Sequence, residues 1–209
     1  MSRLFIAILA VLCVVAPAQA QQDDTSFELT PFGGFRFGGT FEIEESPESY
    51  DIQDSASYGV ILNFPHRANT RWEVLYSQQS TEAEYSDTAS DNALLDIDMH
   101  ILQIGGTYQF ESEGVKPYLA ATIGGTHIKA SANGSESDTF FSGSLGLGLL
   151  IAPNSRVGLR LEARGHVTFT NSSTNLLCVS GPDLNACAIE VTGDVLTQFE
   201  TFAGVVIRF

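Results

Sequence analysis

Acidic and basic side chains at alternate positions are the residues of this chain whose spacing has the clearest chemical meaning. Arg160, Glu162 and Arg164 are separated by one residue each, and His166 continues the series. Alternate residues of a β-strand point to the same face, so these side chains would share one face. Five charged residues occupy comparable positions in other alternating segments: Glu28, Arg36, Glu73, Glu200 and Arg208. Such a face is typical of an interior in which each carboxylate has a cationic partner.

Two of these segments lie near opposite ends of the chain and would pair if the first and last strands were neighbours. In an antiparallel pair, residues that face each other have a constant sum of residue numbers. Glu28 with Arg208 and Arg36 with Glu200 have the same sum, so one register places both acidic residues opposite basic ones. The sequence therefore predicts an interior salt-bridge network, with Glu200 between Arg36 and Arg164.

His166 is the residue of this series that catalysis would use. The segment His166-Val167-Thr168 faintly resembles the His and nearby Ser of barrel hydrolases that modify lipid A, but Thr168 stands at the position of the Ser nucleophile. Strand alternation directs His166 inward, away from a lipid substrate. Neither Gly-x-Ser-x-Gly nor His-Glu-x-x-His occurs in the sequence. We predict no catalytic, cofactor-binding or metal-binding residues and a protein that is not an enzyme.

Two further segments carry many acidic residues and no basic ones. They contain Glu42, Glu44, Glu45, Glu48, Asp51 and Asp54, and then Glu82, Glu84, Asp87, Asp91, Asp96 and Asp98. We interpret both as solvated surface loops, with loose binding of divalent cations as the alternative because oxygen-rich loops suit Ca²⁺ and Mg²⁺. The formal net charge of −15 excludes a nucleic-acid partner, which would require clustered Lys and Arg.

Residues 1–20 have the pattern of a secretory signal peptide. Arg3 supplies an early positive charge, an apolar run extends from Leu4 through Val15, and Ala18-Gln19-Ala20 is a small-x-small cleavage site. The run is too short for the roughly 20 residues of a spanning helix. The sequence predicts export and a mature chain of residues 21–209.

Cys178 and Cys187 are the two cysteines that remain after this cleavage. They lie nine positions apart on either side of Gly181-Pro182. Because the periplasm is oxidising, we expect a disulfide between them. A metal site is not expected, since no His and no third Cys lies nearby.

Short turns and long connections alternate along the rest of the chain. The short turns are at 65–69, 111–116 and 153–156, and the long polar connections are near 42–54, 79–96, 129–138 and 170–194. They separate eight predicted strands near 27–41, 55–64, 70–78, 97–110, 116–128, 139–152, 157–169 and 195–209. This alternation is typical of outer-membrane barrels, which have short periplasmic turns and longer external loops.

Each predicted strand has an apolar face at every second residue, which would contact lipid. One example is the row of Leu145, Leu147, Leu149 and Ile151. Several aromatic residues would then lie together near the periplasmic rim: Phe64, Trp72, Tyr108, Phe110 and Phe209. Aromatic rings settle at the level of the lipid headgroups. In a bilayer, closing the sheet into a barrel satisfies every backbone polar group.

The last strand ends in the pattern Gly-x-x-apolar-x-Phe, formed by Gly204, Ile207 and Phe209. This pattern resembles the signal by which the barrel-insertion machinery recognises its clients. We therefore expect that machinery to be a partner of the chain.

The chain as a whole resembles the small eight-stranded outer-membrane barrels of OmpA and OmpX type. The segments that carry the resemblance are the signal peptide, the strand 27–37, Leu102-Gln-Ile-Gly-Gly-Thr-Tyr108, Lys116-Pro-Tyr-Leu-Ala-Ala120 and the terminal strand. The resemblance implies an all-β, eight-stranded antiparallel up-and-down transmembrane barrel over residues 21–209. It also implies residence in the outer membrane of a Gram-negative bacterium.

Function is less constrained, because one fold hosts several activities. We expect a monomer with a structural or surface-interaction role, in which a barrel plugged by side chains presents acidic external loops. Its partners would be outer-membrane lipids and lipopolysaccharide, with divalent cations at the acidic loops. A narrow OmpW-like channel for small or apolar solutes is the alternative, and a lipid A-modifying hydrolase acting through His166 is a weaker one.

Overall fold

The computed structural model describes residues 26–42, 49–51, 53–84, 94–112, 114–130, 137–170, 178–181, 184–187 and 195–209. The predicted signal peptide lies outside these residues, as do Glu44, Glu45, Glu48, Asp87 and Asp91 of the acidic segments. In the part of the chain that is described, no helix is long and apolar enough to cross a membrane.

Eight antiparallel strands form one closed barrel. They are β1 (Glu28–Phe37), β2 (Ser55–Arg67), β3 (Thr70–Glu84), β4 (Leu94–Gln109), β5 (Val115–Ala130), β6 (Ser137–Ile151), β7 (Val157–Phe169) and β8 (Leu196–Arg208). Each strand pairs with its neighbours in the chain, and β1 pairs with β8 to close the ring. The predicted eight-stranded up-and-down barrel is confirmed.

Two short hairpins lie outside the barrel, in connections that the sequence analysis treats as loops. The first pairs Thr40–Glu42 with Ser49–Asp51 and follows β1. The second pairs Cys178–Gly181 with Leu184–Cys187 and precedes β8.

The seam between β1 and β8 has the register that the residue sums predict. Glu28 faces Arg208, and Arg36 faces Glu200. Beyond the strand itself, the amide of Phe209 donates to the carbonyl of Phe27 at 3.1 Å. The first and last strands therefore pair on both sides of Thr30 and Pro31, the two residues of β1 that have no partner on β8 within this register.

Strands β3 and β4 extend beyond their predicted ends, which shortens the connection predicted at 79–96. In the structure Glu82 pairs with Asp96, and Ser80 pairs with Asp98. Thr81 and Ile97 still face the interior here, so the alternation of faces continues. On β3, Ser80 and Thr81 place polar residues on both faces of this stretch, so the hydrophobic pattern of that strand ends before the strand does.

The outward face of the barrel is apolar over its middle. In β7 buried and exposed residues alternate without interruption through the first half of the strand. The large outward side chains are strongly exposed, with Leu145 at 72% and Leu147 at 64%. Because a soluble protein rarely exposes so large a continuous apolar surface, this face is suited to lipid.

The aromatic residues predicted at the periplasmic rim do lie at the end of the barrel that has the short turns. The ring of Phe27 stacks on Phe209, with ring centroids 5.0 Å apart, and on Phe64 at 6.1 Å. Tyr108 meets Phe110 edge to face at 5.1 Å. All of these rings are at least 40% exposed, as is Trp72.

The inward face contains apolar side chains as well as the predicted charged ones. Two buried apolar clusters lie inside the barrel: Phe32, Ile61, Leu75 and Phe202, and Tyr118, Ala120, Leu150 and Val206. The rings of Phe32 and Phe202 are 4.3 Å apart. A Cβ at Gly59 or Gly204 would collide with Phe32. Inward glycines thus give space to large interior side chains.

Candidate functional site

The candidate site is a group of four buried charged residues in the middle of the barrel. Arg160, Glu162 and Arg164 project inward from β7, and Glu73 projects inward from β3. All four are at most 5% exposed. Their inward direction follows from strand alternation, because in each strand they occupy the same alternate positions as the other buried residues.

The four residues form a closed cycle of ion pairs. Nη2 of Arg160 lies 2.8 Å from Oε2 of Glu73 and 2.6 Å from Oε2 of Glu162. Nη2 of Arg164 lies 2.6 Å from Oε1 of Glu73, and its Nε lies 2.5 Å from Oε1 of Glu162. Each carboxylate therefore contacts both guanidinium groups, and the four formal charges cancel.

This cycle crosses the whole lumen. In the order of strands around the barrel, β3 and β7 are separated by three strands on either side. They are diametrically opposite, so the bonds from Glu73 to the two arginines join opposite walls. An eight-stranded barrel has an interior just wide enough for side chains to fill, and here charged side chains span it.

Neutral polar groups complete the cycle. The Tyr118 hydroxyl donates to Glu162 and accepts from Nε of Arg160 at 2.8 Å. Arg160 also donates to Oδ1 of Asn63 at 3.0 Å, and its guanidinium lies 4.6 Å from the centre of the Tyr118 ring. Arg164 donates to the hydroxyl of Ser144 at 3.2 Å. These bonds matter because a buried charge is tolerated only when its hydrogen-bonding capacity is used.

Two glycines of β6 make room for the cycle. A Cβ at Gly146 would overlap the carboxylate of Glu162, and a Cβ at Gly148 would overlap the phenol of Tyr118. The sequence shows Gly143, Gly146 and Gly148 in an order that superficially resembles a nucleotide-binding loop. In the structure Gly146 leaves space for Glu162 and Gly148 leaves space for Tyr118, whereas a Cβ at Gly143 would make only ordinary van der Waals contacts.

A second buried group lies on the loop side of the cycle. Arg36 donates to Oε1 of Glu200 at 3.1 Å, and Nε2 of His166 lies 2.9 Å from Oε2 of the same carboxylate. The Ser77 hydroxyl also donates to Glu200, at 3.2 Å. Glu200 thus lies between Arg36 and His166 and not, as predicted, between Arg36 and Arg164. Arg164 is occupied by Glu73 and Glu162 instead.

A third ion pair closes the short-turn end. Nε of Arg208 lies 2.7 Å from Oε1 of Glu28, and Nη2 of Arg71 approaches the same oxygen at 4.0 Å. Arg208 also donates to the carbonyl oxygen of Ser155 in the last short turn at 2.6 Å. The last strand is therefore connected to both β1 and the turn that precedes β7.

The remaining predicted residues occupy positions that leave their roles open. Cys178 and Cys187 are directly opposite each other in the second hairpin, and residues paired in this way have Cα separations that a disulfide can span. Gly204 faces inward against Phe32, while Phe209 faces outward and stacks on Phe27. The disulfide and the insertion signal that includes Ile207 stay predictions.

Several residues of the site lack any charge signal in the sequence. Tyr118, Asn63, Ser77 and Ser144 complete the network, and only their parity within the strands points to them. Within the described part of the chain, no group of three or more His, Cys, Asp and Glu residues is arranged to hold a metal ion.

The sequence matches the family described as outer membrane protein beta-barrel domain over residues 6–192. The chain belongs to this family. No curated protein matches it. Membership places the barrel in the outer membrane of Gram-negative bacteria, and in such barrels the short turns face the periplasm.

Solved structures of small outer-membrane proteins share the fold. Neisserial surface protein A gives a TM-score of 0.59 at 16% identity, covering 88% of this chain and 97% of that one. OprG from Pseudomonas aeruginosa gives 0.58 at 9% identity, with 91% and 99% covered. The N-terminal barrel domain of OprF from the same organism gives 0.50 at 14% identity, with 88% and 98% covered. At these identities the likeness concerns the fold alone.

Proposed function

We propose that this outer-membrane β-barrel is a closed structural anchor that presents its long connections at the cell surface. The observation that carries the proposal is the cycle formed by Glu73, Arg160, Glu162 and Arg164, which joins opposite walls of the lumen. A barrel crossed by side chains in this way has no continuous water column at that level.

Opening the cycle would also carry a large free-energy cost. A conducting path would have to separate at least one carboxylate from its two guanidinium partners while both remain out of bulk water. Removing one partner of a buried pair typically destabilises a protein by about 3–5 kcal/mol. The apolar cluster of Phe32, Ile61, Leu75 and Phe202 adds a second obstacle, since all four side chains are buried.

The acidic connections are the part of this protein that would meet partners. The chain carries 25 acidic and 10 basic residues, and Arg36, Arg160 and Arg164 are held inside the barrel. The surface-exposed charge at the loop end is thus mainly negative. Divalent cations that bridge these carboxylates to the phosphates of lipopolysaccharide are the partners of matching chemistry.

We further propose that the protein has no enzymatic activity and that it is exported through the periplasm to the outer membrane. His166 is 1% exposed and bonded to Glu200 inside the barrel, so it has no access to a lipid substrate. The proposal also includes cleavage of the signal peptide and a disulfide between Cys178 and Cys187. It further includes recognition of Phe209 by the insertion machinery and a monomeric state.

Conductance in planar lipid bilayers tests the closed barrel. The unaltered protein should give no sustained current steps. The variant Glu73→Ala/Arg160→Ala removes one acidic and one basic residue of the cycle, leaves the net charge unchanged and should conduct. Glu28→Ala/Arg208→Ala is the matched control, since it removes a pair at the rim and leaves the central cycle intact. Steady current through the unaltered protein would refute the proposal.

A narrow conduit for small or apolar solutes is the second candidate. One observation favours it, namely that the loop-side interior carries a series of buried apolar residues: Ile97, Met99, Ile101, Ile128 and Leu196. Such a surface would accept an apolar solute on its way in. Uptake of an apolar probe by vesicles containing the protein, with no uptake by protein-free vesicles, would favour the conduit over the anchor.

A further inference from the structure

A row of polar residues runs along the outward face of the barrel, where apolar residues are otherwise the rule. It crosses β2 to β6 and consists of Tyr58, Gln78, His100, His127 and Thr139, which are successive partners in the strand register. Tyr76 lies beside it on β3. All of these side chains have the outward parity of their strands, and Tyr58 is 53% exposed.

The side chains of this row on β2, β3 and β4 are connected by hydrogen bonds. Gln78 donates through Nε2 to the Tyr58 hydroxyl, and the Tyr76 hydroxyl donates to Oε1 of Gln78 at 3.1 Å. The same hydroxyl oxygen lies 3.0 Å from Nδ1 of His100. Each of these side chains therefore has at least one hydrogen-bond partner, as polar groups beside hydrocarbon require.

The hydrogen-bond chain ends at His100, and the neighbouring His127 forms a separate bond to Thr139. Nδ1 of His127 bonds to the Thr139 hydroxyl at 2.9 Å, and the His100 and His127 ring centroids are 6.5 Å apart. Among the residues that the structure describes, neither Nε2 has a hydrogen-bond partner within the protein. Two adjacent imidazoles thus each keep one nitrogen for a group from outside the chain.

These imidazoles lie near the outer boundary of the membrane. His100 is eight residues beyond Tyr108 of the short-turn girdle along β4, a rise of roughly 20 Å for a strand tilted by about 40°. The apolar band of such barrels is about 25 Å tall. His127 lies opposite His100 on β5 and higher, because the strands are tilted. At this level the outer leaflet carries its phosphorylated sugar headgroups.

Within the described chain, one basic residue, Lys129, accompanies the imidazoles on the outward face at this end of the barrel. Arg36, Arg160 and Arg164 face the interior, and the other basic residues of the described chain, except Lys129, lie at the short-turn end: Arg67, Arg71, Lys116, Arg156 and Arg208. Lys129 is exposed two positions beyond His127. Its partner in the register, Asp98, accepts a hydrogen bond from Ser80 at 2.7 Å.

The opposite half of the barrel differs at its loop end. There β6, β7, β8 and β1 carry exposed phenylalanines in stacked pairs, Phe141 with Phe169 and Phe37 with Phe199. These rings suit a generic interface. The cationic and imidazole groups are thus confined to one side of the barrel, as expected for a headgroup site rather than a belt.

We propose that the outward face of β4, β5 and β6 binds the phosphorylated sugar headgroup of the outer-leaflet glycolipid, through His100, His127 and Lys129. The hydrogen-bond chain from Tyr58 to Tyr76 positions His100, and Thr139 positions His127. The site rests on the membrane orientation given above, and it is independent of whether the lumen conducts.

Binding of bis-phosphorylated lipid A to the purified full chain in detergent, counted by native mass spectrometry, tests this site. The protein should prefer this lipid to lipid A from which the phosphates have been removed. The variant His100→Phe/His127→Phe keeps two aromatic rings and should bind about tenfold more weakly, the scale of one lost charge-assisted hydrogen bond. His66→Phe, which alters an imidazole at the short-turn end, should bind as the unaltered protein does.

Three results would overturn the proposal: unchanged affinity of the double variant, equal binding of dephosphorylated lipid A, or equal competition by phosphatidylglycerol. If the double variant does not fold, as judged by its gel mobility without heating, Lys129→Gln replaces it and should reduce lipid A affinity severalfold. Failure here would leave the conductance result untouched, so the two proposals can be judged separately.

Discussion

The inside of the barrel and its outward polar row solve the same problem in different ways. Both place polar side chains where water is scarce. Inside, Glu73, Arg160, Glu162 and Arg164 satisfy one another in a closed cycle. Outside, the chain through Tyr76 ends at His100, whose Nε2 has no partner among the residues that the structure describes. A closed cycle stabilises the protein and has no capacity left for a ligand, whereas an open chain gives little stability and keeps a binding group.

Deleting one carboxylate of the cycle should give the largest effect. In Glu73→Ala the two arginines share Glu162 alone, so an uncompensated buried charge remains. We expect a loss of about 3–5 kcal/mol in the free energy of unfolding, measured by urea denaturation in lipid vesicles. The pair-removing variant Glu73→Leu/Arg160→Leu restores neutrality and should recover part of the loss. A loss below about 1 kcal/mol for Glu73→Ala would show that the cycle does not hold the lumen together.

Filling the space beside the cycle should have an intermediate effect. Gly146→Ala places a methyl group where the Glu162 carboxylate lies, and overpacking of this kind typically costs about 1–3 kcal/mol. Gly143→Ala is the control on the same strand, because its added Cβ would meet neighbours only at 3.5 Å or more. Equal unfolding free energies for the two variants, from the same urea titration, would contradict the tight fit of the cycle.

Removing one hydroxyl from the outward row should change stability least. Tyr76→Phe breaks the link between Gln78 and His100, and one neutral hydrogen bond is worth about 0.5–1.5 kcal/mol. Its effect on lipid A binding should be clearer. The affinity should fall severalfold, but not below the affinity of the variant His100→Phe/His127→Phe. Affinity equal to that of the unaltered protein would mean that the hydrogen-bond chain does not position His100.

The fold was readable from the sequence because the barrel repeats one simple rule. Alternation gave the strands, turn residues gave their order, and the constant sum of Glu28 with Arg208 and Arg36 with Glu200 gave the seam. The end of β3 was not readable, because Ser80 and Thr81 make both of its faces polar there. The alternation of strand residues assigns each residue to the inward or the outward face, but it does not determine which side chains contact each other.

The partners within each site depend on information that parity does not contain. Glu200 was predicted to bind Arg164, but the reach and direction of each long side chain across the lumen decide the pairing, and Glu200 meets His166. The interior positions of Phe32 and Phe202 were not predicted, because an apolar residue at an inward position departs from the alternation of apolar outward and polar inward residues. Space left by Gly59 and Gly204 makes that position acceptable for Phe32.

The seam between β1 and β8 sets a condition on how the protein is made. Arg208 bonds to Glu28 across 180 positions of the chain, and pairings so distant in sequence form slowly because a long loop must close first. Until then both strands expose unpaired backbone groups along a free edge, which invites pairing with other chains. A barrel that is closed by residues so distant in the chain must therefore be kept apart from other unfolded chains until β1 and β8 can pair.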